Sequence, residues 1–264
     1  MAQCNLLSED TVTVAKSLAV MMHNEITCYR SCDYLHSPWF TVDDNDALVT
    51  ASDRAMIVNW CYNVIDQCHL DPKTIAPAME MVDRFLSKPS SIARDALLDR
   101  TQYQLVAMTA LYISVKINEK VALNSEFFAS VSKGMYSKND IEGMEMSILQ
   151  GLSWRIYAPT SFQMAHRILS LTLISADVNE QKLIFILKEI QFQTECAVTD
   201  YYFTTKRPST IALGAIFNAL DRVACQDQDK QSILHALLPL AANGKFSSLD
   251  EIQAVKNRLY KIMP

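Results

Sequence analysis

The segment QLVAMTALYISVK, residues 104–116, is almost continuously apolar and ends on a lysine. Between Leu105 and Val115 the only mildly polar side chains are two small hydroxyl residues and one tyrosine. A run of this length without glycine or proline predicts a buried helix, which we place at residues 103–118. A lysine on an apolar helix is costly unless it reaches solvent or finds a partner. Lys116 therefore directs attention to the other charged residues of the chain.

The composition limits the class of protein. The chain has 264 residues, of which 50% are hydrophobic and only five are glycine, and its formal net charge is −5. This length accommodates one large domain or two small ones, and the scarcity of glycine favours helices over turn-rich β architectures. The acidic balance argues against a nucleic-acid-binding protein, which usually presents a basic face. A local basic patch is still compatible with it.

The cysteines give no sign of a metal or disulfide framework. The seven cysteines form no CxxC pair, MAQCNLLSED does not resemble a signal peptide, and no apolar run approaches a membrane span. We therefore expect reduced thiols, an intracellular protein and no membrane partner. Cys28, Cys32 and His36 are spaced to share one face of a helix, as metal ligands would be. A fourth ligand is missing and free cysteine is commonly buried, so we expect no metal and no cofactor.

Helical periodicity recurs along the whole chain, and no β-hairpin or βαβ pattern interrupts it. The fold class predicted is therefore all-α. The first helix is expected to start near Ser8 or Asp10 and to stop before Ser37-Pro38. The predicted helices are 8–36, 52–68, 72–87, 103–118, 122–132, 138–150, 161–174, 179–199, 208–224, 229–240 and 247–262.

Two halves of the chain resemble each other. VDRFLSKPS at residues 82–90 has a counterpart in TDYYFTTKRPS at residues 199–209, each with an aspartate, an aromatic residue and a Pro-Ser before an apolar helix. A period of roughly 115 residues fits two five-helix bundles in tandem rather than a solenoid. The segment KPSSIARDALLDRTQ, residues 88–102, has no equivalent in the second half. The domains predicted are an N-terminal helix and linker at 1–49, a first bundle at 50–157 and a second at 158–264.

Four charged residues fall on faces that are otherwise apolar, namely Arg54, Asp83, Lys116 and Glu145. Burial of an unpaired ion costs several kcal/mol, so a core-facing stripe normally excludes charge. Each of the four could reach water at a helix end. Two positive and two negative charges also allow mutual pairing.

These four residues, together with Leu105, match the five positions by which the cyclin family is recognised. The flanking sequences RAMIVNW at 54–60, VDRFLS at 82–87 and LSWRIYAPT at 152–160 agree with that match. The chain resembles the cyclins over about residues 10–262, most strongly from 50 to 165. The resemblance implies two tandem five-helix cyclin folds preceded by an N-terminal helix.

The resemblance also implies a function. The chain would be a regulatory subunit, without catalytic residues, that binds and activates a cyclin-dependent Ser/Thr protein kinase and regulates the cell cycle. Arg54 and Asp83 would form a structural buried ion pair. Lys116 and Glu145 would lie side by side and bind backbone groups beside the C-helix of the kinase. The residues expected at this interface are Lys116, Glu145, Leu105, Ile113 and Ile148.

Many cyclins also carry an apolar groove that captures Arg-x-Leu segments of substrates or inhibitors. The residues that match such a substrate-docking groove are Met56, Ile57, Trp60, Tyr103 and Gln104. Asn63 replaces the acid that would meet the ligand arginine, and Asp53 stands where methionine is common. We interpret Asp53 as a replacement for the missing negative charge.

Several alternatives stay open at this point. One is a transcription-type cyclin, and another is a cyclin-fold transcription factor associated with nucleic acid, which the acidic composition disfavours. A small α-helical enzyme or metal protein built on Cys28, Cys32 and His36 lacks further ligands. The subclass is open, with a leaning toward a G1-like or lineage-divergent cyclin. The implied location is the nucleus or the cytoplasm, since no targeting signal is seen.

Overall fold

The computed structural model describes residues 11–36, 49–121, 123–173, 180–222 and 247–263. The all-α prediction is confirmed, because these residues form helices and contain no strand. The two 3₁₀-helices span Pro72–Thr74 and Tyr201–Thr205. The α-helices are α1 (Thr11–Thr27), α2 (Ala51–Gln67), α3 (Ile75–Leu86), α4 (Ser91–Leu98), α5 (Arg100–Asn118), α6 (Ser125–Val131), α7 (Lys138–Gly151), α8 (Ser161–Leu173), α9 (Glu180–Thr199), α10 (Pro208–Arg222) and α11 (Leu249–Ile262).

The chain divides into two compact units, neither of which is continuous in sequence. The first unit consists of Tyr29–Ala158 and Val198–Thr205. The second unit lies within Met1–Cys28, Pro159–Ala197 and Lys206–Pro264. Helix α1 thus belongs with the second unit, and residues 199–205 of the repeated segment TDYYFTTKRPS belong with the first. The sequence-based boundaries at 49 and 157 stay a prediction about domains.

Helix α5 is the centre of the first unit. It contacts α2, α3, α4, α6 and α7, and its residues from Leu105 to Val115 are all buried. A helix with neighbours on all sides must be apolar all round. The almost unbroken apolar run at 104–116 is explained in this way.

Side-chain caps fix where α2 and α7 begin. Thr50 and Asp53 form a reciprocal capping box at the start of α2, and Ser137 and Asp140 form another at the start of α7. Each box satisfies backbone donors that the first turn of a helix leaves without a partner. The caps therefore set the register that carries Arg54 on α2 and Glu145 on α7.

Two sequence predictions need correction. Residues 88–102 contain a helix, α4, whose buried face consists of Ala93, Ala96 and Leu97 and which begins at a Ser90 cap. Only three apolar positions are buried, and two of them are alanine, so the hydrophobic periodicity of this helix is too weak to detect in the sequence. The N-terminal helix ends at Thr27 and does not continue to residue 36. The predicted helix at 229–240, like residues 8–10, lies outside the described residues.

Cys28, Cys32 and His36 do not share a helical face, because α1 stops before all three. The backbone N–H of Cys32 donates to Ser87 Oγ, and the ring of His36 lies 2.9 Å from Asp33 Oδ1. Within the ranges that the structure describes, no group of three His, Cys, Asp or Glu side chains could hold a metal ion. None of the described helices has the length and apolar character needed to cross a membrane.

A buried carboxylate attaches α1 to the core of the second unit. Glu25 Oε2 accepts the backbone N–H of Ser209 at 2.9 Å, and Oε1 accepts the Ser209 hydroxyl at 2.6 Å. Ser209 lies in the first turn of α10, where a negative charge is favoured by the helix dipole. Burial raises the pKa of Glu25, while the Ser209 bonds and Arg207 act in the opposite direction.

We predict that Glu25→Ala lowers the free energy of unfolding by about 2 kcal/mol, because two buried donors of Ser209 lose their acceptor. Glu25→Gln is the matched control, since its amide oxygen still accepts one bond, and it should lose less. Urea unfolding measures both variants. Equal stability of Glu25→Ala and the unmodified chain would contradict the attachment.

Candidate functional site

The first feature of the candidate site is a buried ion pair between α2 and α3. Arg54 Nε lies 3.0 Å from Asp83 Oδ1, and Arg54 Nη2 lies 2.7 Å from Asp83 Oδ2. The two side chains are 3% and 7% exposed. Two parallel charge-assisted bonds fix both distance and orientation. The pair thus fixes how α3 packs against α2.

Segments distant in sequence complete the ion pair. The Tyr34 hydroxyl donates to Asp83 Oδ1 at 2.9 Å, and Arg54 Nη1 donates to the carbonyl of Val198. The ring of Tyr201 packs edge-on against Tyr34, with centroids 5.3 Å apart. Burial alone would lower the pKa of Arg54, but the charge and hydrogen bonds of Asp83 raise it. Arg54 is therefore a fixed cation that gathers four segments of the first unit.

We predict that Arg54→Ala lowers the free energy of unfolding by about 3–5 kcal/mol, since it leaves the Asp83 carboxylate buried without its countercharge. Arg100→Ala is the control, because Arg100 forms an ion pair with Asp53 at the surface and should cost less than about 1 kcal/mol. Chemical denaturation compares the two. A wild-type melting temperature for Arg54→Ala would refute the structural role.

The second feature is an ion pair at the surface of the first unit. Lys116 Nζ, in the last turn of α5, lies 3.0 Å from Glu145 Oε1 on α7. The lysine side chain is 55% exposed and the glutamate 16%. Hydrogen bonding to Glu145 raises the pKa of Lys116, and Nζ also lies 5.3 Å from the centre of the Tyr112 ring. The lysine that ends the apolar helix is therefore paired, with part of its ammonium facing solvent.

The three apolar residues predicted at the same interface lie elsewhere. Leu105, Ile113 and Ile148 are buried in the core of the first unit. They present almost no surface, so direct contact with a partner by these side chains is not supported by the structure. A helical pattern identifies an apolar position but does not distinguish a core face from a binding face. The three residues pack within the unit that holds the Lys116–Glu145 pair.

Three exposed apolar residues that follow Glu145 in the sequence were not predicted as site residues. Met146 follows Glu145 on α7, and Trp154 and Tyr157 follow the end of that helix with exposures of 60% and 71%. Ser153 and Trp154 have φ values of +54° and +61°, which place both in the left-handed region. Large side chains rarely adopt that conformation. The segment LSWRIYAPT, residues 152–160, contains Trp154 and Tyr157, but nothing in its sequence indicates that these two rings face solvent.

The predicted groove residues separate into two groups. Met56 is exposed, and Ile57, Trp60 and Gln104 are partly buried, so these four have some accessible surface. Tyr103 has almost no accessible surface, because its side chain is buried and lies close to Tyr34, Arg54 and Asp83. Its assignment to a surface groove is therefore wrong.

Asp53 is not available to an arginine ligand. Its Oδ2 accepts the backbone N–H and the hydroxyl of Thr50, and its Oδ1 accepts Arg100 Nε at 2.8 Å. The Asp53 side chain is only 10% exposed, whereas Arg100 is 60% exposed. The interpretation of Asp53 as a replacement acid is contradicted by these bonds. Asn63 is exposed and uncharged.

Comparison with known proteins identifies the class and then the family. Solved structures with a similar fold include a viral cyclin from herpesvirus saimiri, with a TM-score of 0.66 and 15% identity over 93% of this chain and 97% of that one. A chain of the CAK complex from Chaetomium thermophilum bound to ATP-gamma-S also has a similar fold, with a TM-score of 0.57 and 16% identity over 96% of this chain and 74% of that one. The model of the family "Cyclin, N-terminal domain" matches residues 16–157, more than half of the chain. This chain belongs to the cyclin family.

Two curated relatives match most of this chain, but the match covers less than half of their own length. Cyclin-A2-4 of Arabidopsis thaliana is 27% identical over 78% of this chain and 46% of the relative. Cyclin-B1-1 of Oryza sativa subsp. japonica is 26% identical over 72% of this chain and 38% of the relative. The chain thus spans less than half the length of these relatives. Their names are of A and B type and do not support the leaning toward a G1-like cyclin.

Proposed function

We propose that this cyclin is a non-catalytic regulatory subunit that binds and activates a cyclin-dependent protein kinase in the cell cycle. The Lys116–Glu145 pair is the observation that carries the proposal. It occupies two positions that are characteristic of the family, and it lies at the surface of the unit that the family model matches. Its proposed location is the nucleus or the cytoplasm.

The geometry of the pair suits the recognition of a backbone. A lysine ammonium has three N–H donors and a carboxylate has about four acceptor positions. One donor and one acceptor are engaged in the bond between Nζ and Oε1. Each side chain can therefore keep this bond and also contact a carbonyl or an N–H of a partner. Charge-assisted bonds of this kind fix the register of a docked element.

The element docked in our proposal is the C-helix of the kinase. A cyclin that binds only the conformation with this helix rotated inward shifts the kinase population toward it. In that conformation a glutamate of the C-helix pairs with the lysine that orients ATP. The cyclin contributes differential binding rather than a reacting group, in agreement with its assignment as a non-enzyme.

We predict that Lys116→Ala combined with Glu145→Ala abolishes pull-down and activation of the kinase. Changing both residues leaves no unpaired charge, so helical content and melting temperature should stay close to those of the unmodified chain. The matched control is Lys138→Ala with Glu126→Ala, which removes another exposed pair with a 3.0 Å contact. The control should retain the kinase.

Undiminished kinase activation by the Lys116/Glu145 variant would refute the proposed interface. Loss of activation by the control as well would show that removal of any surface pair is damaging. The transcription-type alternative predicts the same interface with a different kinase. Affinity purification from the native cell, with mass spectrometry and the cell-cycle stage recorded, distinguishes the two.

We further propose that the apolar row on α2, formed by the exposed Met56 and the partly buried Ile57 and Trp60, helps to recruit Arg-x-Leu substrates or inhibitors through their leucine. Gln104 is the remaining candidate on α5. Arginine recognition should be weak in this groove, since Arg100 already neutralises Asp53 and Asn63 carries no charge.

We predict that an Arg-x-Leu peptide and a Gln-x-Leu peptide bind this chain equally well. Arg100→Ala frees one oxygen of Asp53, so the arginine peptide should gain about two- to fivefold in affinity, as expected for an exposed ion pair. Fluorescence polarisation with both peptides measures this. Strong preference of the unmodified chain for arginine, or no binding of either peptide, would contradict the proposal.

A further inference from the structure

Two cations associated with α3 bind backbone carbonyls at the end of α7. Lys88, two residues beyond the end of α3, donates from Nζ to the carbonyl of Gly151 at 2.6 Å. Arg84, in the last turn of α3, donates from Nη2 to the carbonyl of Arg155. The Gly151 carbonyl, at the C-terminal end of α7, carries partial negative charge and favours a cation, whereas Arg155 lies four residues beyond that end. The two bonds lie on either side of Ser153 and Trp154.

The segment between these bonds has an unfavourable backbone conformation. Ser153 and Trp154 are both left-handed. The Trp154 N–H donates to the carbonyl of Leu149 at 2.8 Å, and the Ser153 N–H donates to that of Gln150 at 2.9 Å. Such a conformation persists at non-glycine residues only where the surroundings impose it. The two backbone bonds of Ser153 and Trp154 are those of a common helix-end motif, and the bonds from Lys88 to Gly151 and from Arg84 to Arg155 add a constraint from outside the segment.

The close approach of α7 to α3 makes these bonds possible. A Cβ atom at Gly151 would lie 2.8 Å from Phe85 Cε2, so only glycine permits this distance. Arg84 is itself held firmly. Its side chain is buried, its guanidinium carbon lies 4.7 Å above the Tyr29 ring, and its Nε contacts Glu80. Arg84 is therefore a rigid support rather than a flexible surface cation.

Trp154 is connected to the Lys116–Glu145 pair through α7. Leu149 follows Glu145 by one helical turn, about 6 Å along the axis. The carbonyl of Leu149 accepts the Trp154 N–H, so the turn that presents the exposed indole starts one turn beyond Glu145. A change in the 151–155 segment would therefore alter the surface at the end of α7.

We propose that Arg84 and Lys88 are positioning residues that hold the left-handed turn at Ser153 and Trp154 and so set the exposed indole within the partner-binding surface. They act on the partner through Trp154. The inference that this surface binds a partner rests on the proposed function. The inference that the two cations hold the turn stands on the contacts alone.

The experiment uses a chain with Trp39→Phe and Trp60→Phe, in which Trp154 is the sole tryptophan. Lys88→Ala is the main variant, because Lys88 is exposed and its removal should leave folding intact. We expect lower steady-state anisotropy of the indole without any kinase present, and restoration by Lys88→Arg, which retains a donor. Kinase affinity, measured with the natural tryptophans in place, should fall by at most roughly tenfold, the equivalent of one charged hydrogen bond, because the kinase must then order the turn that Lys88 holds. Lys138→Ala is the control and should change neither quantity.

The outcomes separate the two inferences. Unchanged anisotropy of Lys88→Ala overturns the positioning role, whether or not affinity falls. A second outcome is that Lys88→Ala lowers the anisotropy without changing the kinase affinity, while Lys116→Ala with Glu145→Ala abolishes kinase binding. This outcome overturns the claim that the turn belongs to the partner surface. A third outcome is that Lys88→Ala lowers the anisotropy, while the Lys116→Ala and Glu145→Ala variant still binds the kinase. This outcome overturns the proposed interface and supports the positioning role. Arg84→Lys provides a second test of the turn.

Discussion

The first unit depends on one buried ion pair. Arg54 and Asp83 lie on consecutive helices, and their two parallel bonds exclude most alternative packings of α2 on α3. Tyr34 and the carbonyl of Val198 satisfy further positions of the same pair. A buried ion pair is not in itself strongly stabilising, since desolvation offsets much of the attraction. Its contribution here is to specify which segments meet.

The surface pair Lys116–Glu145 illustrates the opposite balance. Both charges retain contact with solvent to different degrees, so their mutual bond contributes little to folding. A pair of this kind is free to exchange part of its hydration for contacts with another protein. Each pair joins a cation to a carboxylate, and the difference in burial separates the structural pair from the pair for which we propose a binding role.

The sequence was sufficient for the helical class, for the position of most helices and for the pairing of Arg54 with Asp83 and of Lys116 with Glu145. That the second pair binds a kinase stays a prediction. It was not sufficient where the outcome depended on which neighbour a helix face meets. Tyr103 matches a groove position by spacing, yet its ring lies in the core beside Arg54. Asp53 has a partner 47 residues away, Arg100, that no local pattern indicates. The turn that carries the exposed Trp154 is likewise flanked by bonds from Arg84 and Lys88, which are distant in the sequence.

The discontinuity of the two units has a consequence for synthesis on the ribosome. Glu25 of helix α1 is made 184 residues before Ser209, so it finds its partner only late in synthesis. Arg54 likewise waits for Val198 before its last bond can form. Contacts so distant in sequence form slowly, because a long loop must close before they stabilise anything. The nascent chain therefore has an interval in which Glu25 of α1 lacks its partner and Arg54, already able to pair with Asp83, lacks its last hydrogen-bond acceptor.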